Sequence, residues 1–309
     1  MRALVVYNPM AGQRDRSSEV RAAAGRLASA GWKVDLVSST SARELEKAAR
    51  DAVLAGMDMV VAAGGDGTLN LAVQSLANQR TVLGVLPVGT TNVWARELGI
   101  PSDPKRAADL LLKGEVARTD LGMANGRYFL FVAGVGFDAS VTRAVGARAK
   151  RRLGMLAYVV AAGVEALKLR GVEATLSADG LLSRERVLMV VASNIRLYGG
   201  VLHMAPQAFA DDGLLDVWVF RGRGLLAGAV HTASVLLGRH GRDPGARFYR
   251  CSNLSISARG SLPVQLDGDY VGTTPVTVRV VPRALRVVVP PGPHPLFRHP
   301  PEGPACPRS

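Results

Sequence analysis

The sequence predicts an α/β domain built on a parallel sheet, followed by a second, mainly antiparallel β domain. Three observations carry this. Strand-like and helix-like stretches alternate over the first third of the chain, the pattern of a parallel sheet with helices on both faces. Beyond about Asp120 the strand-like runs follow one another with little helix between them. Glycine-bearing loops follow early strands, and in open α/β sheets ligands sit beyond the carboxyl ends of the strands. The expected division is 1–120 for the first domain and 121–289 for the second, whose last segment could instead return to the first, with 290–309 as a tail.

In chain order, "RALVVYNP" is a strand, Ser17 to Gly31 has helical composition and stops at a glycine, and "KVDLVSST" is a strand. The helix "SARELEKAARDAVLAG" opens with Ser41 three residues before Glu44, a capping-box pattern, and ends at Gly56. "MDMVVAAGG" is a strand, "TLNLAVQSLAN" a helix opened by Thr68, "TVLGVLPVG" a strand and "TTNVWARELGI" a short helix. Past Asp120, "VARTDLGMANGRYFLFVAGVGFDA" reads as two strands joined at Asn125-Gly126, the strongest short hairpin signal. Helical sequence then runs from about Ala139 to Leu169, and one more helix lies near 224–239. The runs "VEATLSADG", "RERVLMVVASN", "GLLDVWVFRG", "FYRCSNLSISAR", "LPVQLDGDYVG", "TPVTVRVVP" and "ALRVVVPP" read as strands. The most apolar helical stretches, "LGMLAYVVAAGVEAL" and "GLLAGAVHTASVLLG", are each shorter than the ~20 residues a bilayer crossing needs. Glu165 interrupts the first and His231 the second, so both read as buried or half-buried helices. The closing "PPGPHPLFRHPPEGPACPRS" holds eight of the seventeen prolines and reads as a disordered tail.

Composition narrows the function classes. At 309 residues, 48% hydrophobic and 20% charged, the chain has material for packed cores and is not globally disordered. A net charge of +13 and a pI near 10.5 favour polyanions without choosing among nucleic acid, anionic lipid headgroups and nucleotide phosphates. Aromatic residues are only 5%, which weighs against base stacking, and no recognition motif supports nucleic acid as a partner. The two cysteines, Cys251 and Cys306, have no metal-type spacing and suit a reducing cytoplasm. The start, "MRALVVYNPMAG", lacks a signal peptide's apolar region and cleavage site.

The chemistry concentrates in "VVAAGGDGTLN", Val60 to Asn70. Gly64 and Gly65 follow a buried strand and let a ligand touch the backbone. The helix after them offers its first N–H groups to phosphate, with Gly67 and Thr68 in the same turn. Asp66 cannot neutralise phosphate, but a carboxylate beside phosphates is useful where Mg²⁺ lies between them. The bland alternative is a tight turn in which Asp66 caps the helix. Two more loops have the same character: "YNPMAG", with Asn8, Pro9 and Gly12, and "PVGTTN", with Gly89, Thr90, Thr91 and Asn92. Each alone is an ordinary turn; together they converge on one edge of one sheet. Thr40, past the second strand, joins that edge or serves only as a helix N-cap.

The motifs "NPMAG", "GGDGTLN" and "PVGTTN", in this order and spacing, resemble the diacylglycerol kinase catalytic family, which includes bacterial diacylglycerol kinases, sphingosine and ceramide kinases and phosphatidylglycerol kinase-like enzymes. "GVGFDA", "KRRLGMLAY", "FADDGLLDV" and "VQLDGDYV" extend the resemblance over roughly residues 2–290. It implies ATP-dependent phosphorylation of a lipid hydroxyl by an NAD kinase- or phosphofructokinase-like α/β domain and a β-sandwich domain, with the active site in the cleft between them. By the same resemblance Asp66 orients Mg-ATP, Gly65 and Thr68 hold phosphates, and Asn8, Thr40, Gly89 and Thr90 surround the nucleotide.

"LDGDYV" supplies Asp267 and Asp269, on one face if the segment is a strand, or in a solvated turn around Gly268. The family pattern is Asp-Gly-Glu, and its last acid is implied as general base for the lipid hydroxyl. Aspartate at 269 is one methylene shorter and keeps the chemistry. "FADDGLLD" resembles a structural Mg²⁺ site, with Asp212 as side-chain ligand and the carbonyls of Phe209 and Leu214; an Asp-Gly turn would look identical. Asp138 matches a position that faces the lipid headgroup, and Asp120 an acid that supports the active site. Two departures are Val93, where bacterial diacylglycerol kinases often carry Asp, and Phe131, where Asn is common.

Finally, "RAVGARAKRRLG" carries Arg143, Arg148, Lys150, Arg151 and Arg152 with no acid. It reads as a solvated helix face or as a dock for anionic lipid, with Arg151 or Arg152 turned to ATP phosphate. The leading expectation is a cytoplasmic lipid kinase using ATP and Mg²⁺ that visits the inner face of the membrane; a homodimer is left open. Two rivals stand beside it. An NAD kinase shares the glycine loop, but its Asn-Glu pair and Thr-Gly-Ser-type segment are not found here. A non-catalytic nucleotide- or lipid-binding sensor would have no need of Asp66, Asp267 and Asp269.

Overall fold

The computed structural model describes residues 1–9, 15–145 and 155–306, and within 155–160 the backbone only. The chain divides into two units. The first comprises Met1–Leu121, Phe209–Asp212 and Pro282–Ser309, and the second Gly122–Ala208 and Gly213–Val281.

The first unit opens with β1 (Arg2–Tyr7), α1 (Ser17–Ser29), β2 (Lys33–Ser38), α2 (Ala42–Leu54), β3 (Met59–Gly64), α3 (Asp66–Leu76) and β4 (Val82–Pro87). Then come α4 (Val93–Glu97) and α5 (Pro104–Lys113). The sequence signals explain the boundaries. Ser41 Oγ accepts the Glu44 N–H at 3.2 Å and caps α2, so Thr40 lies outside the helix and is not its cap. Asp103 caps α5 and Pro104 opens it, a start signal that the pass along the sequence did not use. α3 begins at Asp66, two residues earlier than Thr68, with Gly65 as its cap.

β1 pairs in parallel with β2 on one side and β3 on the other, and β3 pairs in parallel with β4. All six residues of β3 and of β4 are buried, as strands covered on both faces must be. Chain direction reverses across the sheet at β1, since β2 lies to one side and β3 and β4 to the other. Right-handed crossovers then put α1 on one face and α2 and α3 on the opposite one; α1 packs on α5 and α2 on α3. The point between β1 and β3 is where the carboxyl ends of such a sheet open a crevice.

The second unit is antiparallel. It contains the end of β5 (Glu115–Ala124), β6 (Arg127–Phe129), β7 (Val132–Gly136), α6 (Phe137–Ala144) and α7 (Met155–Leu167). Next are β8 (Val172–Ala178), β9 (Leu181–Ser193), β10 (Leu197–Tyr198), β11 (Leu202–His203), β12 (Leu215–Arg221) and α8 (Gly224–Leu236). After these come β13 (Ala246–Cys251), β14 (Asn253–Ala258), β15 (Pro263–Leu266), β16 (Asp269–Thr273) and β17 (Val276–Val289). β5 and β6 meet at Asn125-Gly126, whose φ angles of 51° and 76° are those of the tight hairpin turn the pair signals. β9 is the hub: its start pairs with β8, while its end lies between β7 and β12. The sheet therefore divides around one strand, and its inner faces enclose Phe129, Val190, Val217, Leu254, Val264 and Val278.

Two expectations are corrected. "TPVTVRVVP" and "ALRVVVPP" form one strand, β17, whose end lies in the first unit with Val287 parallel to Leu83. Proline at 282 does not break it, and the bend is taken by Arg283, at φ 50°. The tail is ordered through residue 306: Leu296 is fully buried, and β18 (Gly303–Pro304) pairs with β5 at Val116 and Glu115. Proline removes donors, but the remaining N–H groups of the tail still bond: Glu302 to the Val116 carbonyl at 2.7 Å and Ala305 to the Gly114 carbonyl at 2.8 Å. The helix α8 is not buried but half-buried: His231 is its single buried residue, and Leu225, Leu226, Val230 and Leu236 are exposed.

Candidate functional site

The loops that end β1, β2, β3 and β4 lie on one edge of the first unit, as the registers Tyr7 with Ser38, Tyr7 with Ala63 and Gly64 with Pro87 require. Asn8, Thr40, Gly64, Gly65 and Gly89 follow from those strand ends. The two central loops touch backbone to backbone. Val88 N–H donates to the Gly64 carbonyl at 3.2 Å, and a Cβ on Gly65 would come within 3.3 Å of Gly89 Cα. A Cβ on Gly89 would lie 2.8 Å from both Gly65 N and Asn92 Oδ1. On Gly64 it would overlap the Thr68 side chain, which is buried against it. The glycines are thus required by the approach of two strand-end loops.

Gly65 caps α3 without a side-chain bond, so the first-turn N–H groups at Asp66 and Gly67 keep their affinity for an anion. Gly67 and Thr90 are exposed. Asp66 does not cap the helix; it occupies the first turn, with Trp94 N–H approaching Oδ1 at 3.5 Å. Sequence reading passed over the roles of two neighbours. Asn92, in the left-handed region at φ 50°, donates from Nδ2 to the Gly89 carbonyl at 3.0 Å. Its Oδ1 is buried with no hydrogen-bond partner among the described residues. Arg16 extends its guanidinium to the Pro87 carbonyl at 3.4 Å and is itself ion-paired with Glu19. The donors and the glycine clearance fit a nucleotide triphosphate, and Asp66 fits an ion held beside it. Gly12 and Arg152 lie outside the described residues, as do Arg148, Lys150 and Arg151.

The second unit holds its acids differently. Asp267 and Gly268, at φ 50° and 81°, form the turn between β15 and β16. The Asp267 carboxylate accepts backbone N–H groups of Leu130, Phe131 and Val132 at 2.7, 2.9 and 2.9 Å. It is the anchor of this turn and of the segment entering β7. Phe131 N–H is one of the three donors, so that contact is made by backbone whatever the side chain. Asp269 opens β16 half-exposed, with Arg127 Nη2 at 3.0 Å. In the same unit Asp138 bonds to the Tyr198 hydroxyl and accepts Gln265 Nε2 at 2.6 Å. Burial pushes its carboxyl above the usual range, against the lowering effect of those two bonds. A Cβ on Gly134 would overlap Asp138, so glycine there makes room for the carboxylate. Tyr198 and Gln265 carry no signal in the sequence, because only the fold brings them to Asp138.

Asp120, in the first unit, is fully buried; its Oδ1 accepts the Arg283 N–H at 2.6 Å and its own N–H donates to Ala210. It stabilises the bend in β17 and reaches no reacting group by these contacts. At the expected site of a structural ion, a side chain of the tail reaches Asp212. Arg298 Nη2 forms an ion pair with Asp212 Oδ2 at 3.2 Å, and its guanidinium lies 4.4 Å from the Phe209 ring centre. Asp211 accepts the N–H groups of Arg298 and His299, each at 2.8 Å. The tail's own cation therefore faces Asp212. No group of three or more His, Cys, Asp or Glu residues fit for a metal occurs among the described residues, and the expected site would rest instead on one carboxylate and two carbonyls.

Comparison with known proteins agrees with this geometry. The family model "Diacylglycerol kinase catalytic domain" matches residues 2–124, and "YegS C-terminal NAD kinase beta sandwich-like domain" matches 132–289. The chain is 33% identical to a diacylglycerol kinase of Bacillus subtilis (strain 168), over 94% of this chain and 96% of that protein. It is 29% identical to a diacylglycerol kinase of Staphylococcus aureus (strain MRSA252), over 94% and 92% of the two chains. A crystal structure of a diacylglycerol kinase from Bacillus anthracis str. Sterne aligns with a TM-score of 0.73 at 20% identity, covering 94% of this chain and 97% of that one. At that identity the likeness speaks for the fold.

Proposed function

This chain belongs to the diacylglycerol kinase family, and we propose that it transfers the γ-phosphate of ATP to the hydroxyl of diacylglycerol or a closely related lipid. The observation that carries the reading is the backbone approach of Gly65 and Gly89, where the loops that end β3 and β4 meet. It leaves uncapped helix N–H groups, Asp66 and the buried Asn92 Oδ1 at the same edge. Such an edge binds phosphates by backbone donors and needs no large basic pocket.

In this reading Gly64, Gly65, Gly67, Thr68, Gly89 and Thr90 hold the phosphates, and Asn8 and Thr40 lie beside the nucleotide. Asp66 orients the Mg²⁺ ion that bound ATP brings, which offsets charge on the transferring group. Asp269 accepts the proton of the lipid hydroxyl as its oxygen bonds to phosphorus and the bond to ADP breaks. Arg127 fixes one Asp269 oxygen, and Asp267 fixes the turn that presents it. The proton moves late in a loose transition state. Asp138, with Tyr198 and Gln265, faces the polar end of the lipid. The protein works in the cytoplasm and visits an anionic membrane, where its net charge of +13 favours it. No helix among the described residues is long and apolar enough to cross a membrane.

The second reading, a soluble NAD kinase, is favoured by one observation, the likeness of residues 132–289 to an NAD kinase-like β sandwich. The test is phosphate transfer from Mg-ATP in anionic mixed micelles containing diacylglycerol, phosphatidylglycerol or a sphingoid base, with NAD as the soluble control. A labelled lipid that disappears with Asp269→Ala is the expected result. Product from NAD alone would replace the lipid reading, and ATP binding without any transfer would favour a sensor.

A further inference from the structure

We propose that helix α8 is the element with which this protein docks on an anionic lipid bilayer, lying in the headgroup layer with its outward leucines among the acyl chains. The choice of a bilayer as occupant rests on the lipid-kinase reading; the geometry of the helix does not.

The helix is inside out. A helix on the surface of a water-soluble protein turns its apolar stripe to the core and its polar residues to water. In α8 the inward side carries His231, buried, with Nδ1 at 2.6 Å from Asp243 and Nε2 at 2.7 Å from the Arg221 carbonyl. Ser234 donates to the same Asp243 at 3.0 Å. The outward side carries Leu225, Leu226, Val230 and Leu236, continued by Leu237, exposed by 50, 78, 52, 64 and 68%. At 100° per residue these five lie within less than half a turn of one another. The hydroxyl on that side, Thr232, donates to the Gly228 carbonyl at 2.8 Å, so it is satisfied without water. The polar bonds fix which face is inward, and Gly228 lets the helix sit close, since a Cβ there would overlap Leu169.

The surroundings select the occupant. No acid occurs between Arg221 and Arg242, and Arg223, Arg239 and Arg242 are exposed at the two ends of the apolar face. None of these three has an ion pair among the described residues. A second copy packed leucine to leucine about a two-fold axis would bring these like charges together. Anionic headgroups offer the opposite charge around an apolar interior. The helix has 13 residues; at the standard rise it is about 20 Å long, too short for a ~30 Å hydrocarbon core, so it lies in the interface.

The test measures cosedimentation with phosphatidylglycerol–phosphatidylcholine vesicles, without ATP or diacylglycerol, for the wild type, Leu226→Asp/Leu237→Asp and Arg223→Glu/Arg239→Glu. Thermal melts establish that each variant is folded, and transfer to a short-chain, water-soluble diacylglycerol reports the chemistry separately. Both variants are expected to bind at least tenfold more weakly, with unchanged melting and unchanged transfer to the soluble substrate. Wild type that ignores the vesicles, or a folded leucine variant that binds them equally well, would overturn the proposal. So would a wild-type dimer that the leucine variant dissolves, which would make the face a contact between copies. Loss of transfer to every lipid by the wild type, with vesicle binding intact, would sink the lipid-kinase reading and leave the docking helix standing.

Discussion

The two units each place aspartate beside glycine at a turn, and they use it in opposite ways. In the first unit, Gly64-Gly65-Asp66 closes β3 and opens α3, and the loop's contacts are with the backbone of the next glycine loop. Asp66 lies in the first turn of α3, with the Trp94 N–H at 3.5 Å from its Oδ1. In the second unit, Asp267 and Gly268 close β15 and open β16, and Asp267 collects three backbone N–H groups within 2.9 Å. The lesson is that an acidic glycine turn says little until its hydrogen bonds are counted. Where three backbone N–H groups converge on the carboxylate, as at Asp267, the turn holds two chain segments together; where the glycines themselves meet, as at Gly65 and Gly89, it lets two loops approach backbone to backbone.

Substitutions can break or sharpen this contrast. The largest effect is expected from Asp66→Ala, which should lower kcat about 10³-fold, equivalent to about 4 kcal/mol, with little change in melting temperature. A comparable loss of stability instead would mean that Asp66 holds structure, as Asp267 does. Asp267→Ala should cost about 3 kcal/mol in urea unfolding, because three amides lose a charged acceptor at once. A stable but inactive Asp267→Ala protein would place that residue among the reacting groups. Gly89→Ala should weaken ATP binding about 10- to 100-fold, read by calorimetry, since the new methyl meets Gly65 N at 2.8 Å.

Smaller effects follow from the buried acids. Burial raises the Asp138 carboxyl, so its contribution to stability is complete below the unfolded value of about 3.9 and is lost as pH rises through the folded value. Melting curves from pH 4 upward should therefore decline less steeply for Asp138→Asn than for the wild type. An identical decline would remove Asp138 as the titrating group. Least of all, EDTA should leave the melting temperature unchanged in the absence of nucleotide, because Arg298 already faces Asp212. A fall restored by Mg²⁺ would place a structural ion there after all.

Much of the first unit was legible because its signals are local. Buried strands, a capping box and glycine loops each lie within about ten residues, and the parallel sheet follows from the alternation of strand and helix. The second unit kept more hidden. Asp267 finds its donors at Leu130, Phe131 and Val132, and no spacing rule connects such distant segments. The apolar run of α8 reads as core because hydropathy does not reveal that His231 and Ser234 take the inward side. Proline in the tail signals the absence of regular structure, which is different from the absence of contacts: Asp211 takes two tail N–H groups all the same. Most of the basic 143–152 run lies outside the described residues, so its reading as a lipid dock remains an expectation beside the one drawn for α8.

The path of β17 has a consequence for how the protein comes into being. The first unit's sheet includes Val287 beside Leu83, and the whole of the second unit lies between them in the sequence. On the ribosome, β1 to β4 emerge early but lack a neighbouring strand and the segment that buries Leu296. The chain of the second unit ends at Val281, before Val287 and Leu296, so the first unit is the one whose chain is completed last. Its first substrates would then be met by a nearly finished molecule, with α8 already displayed.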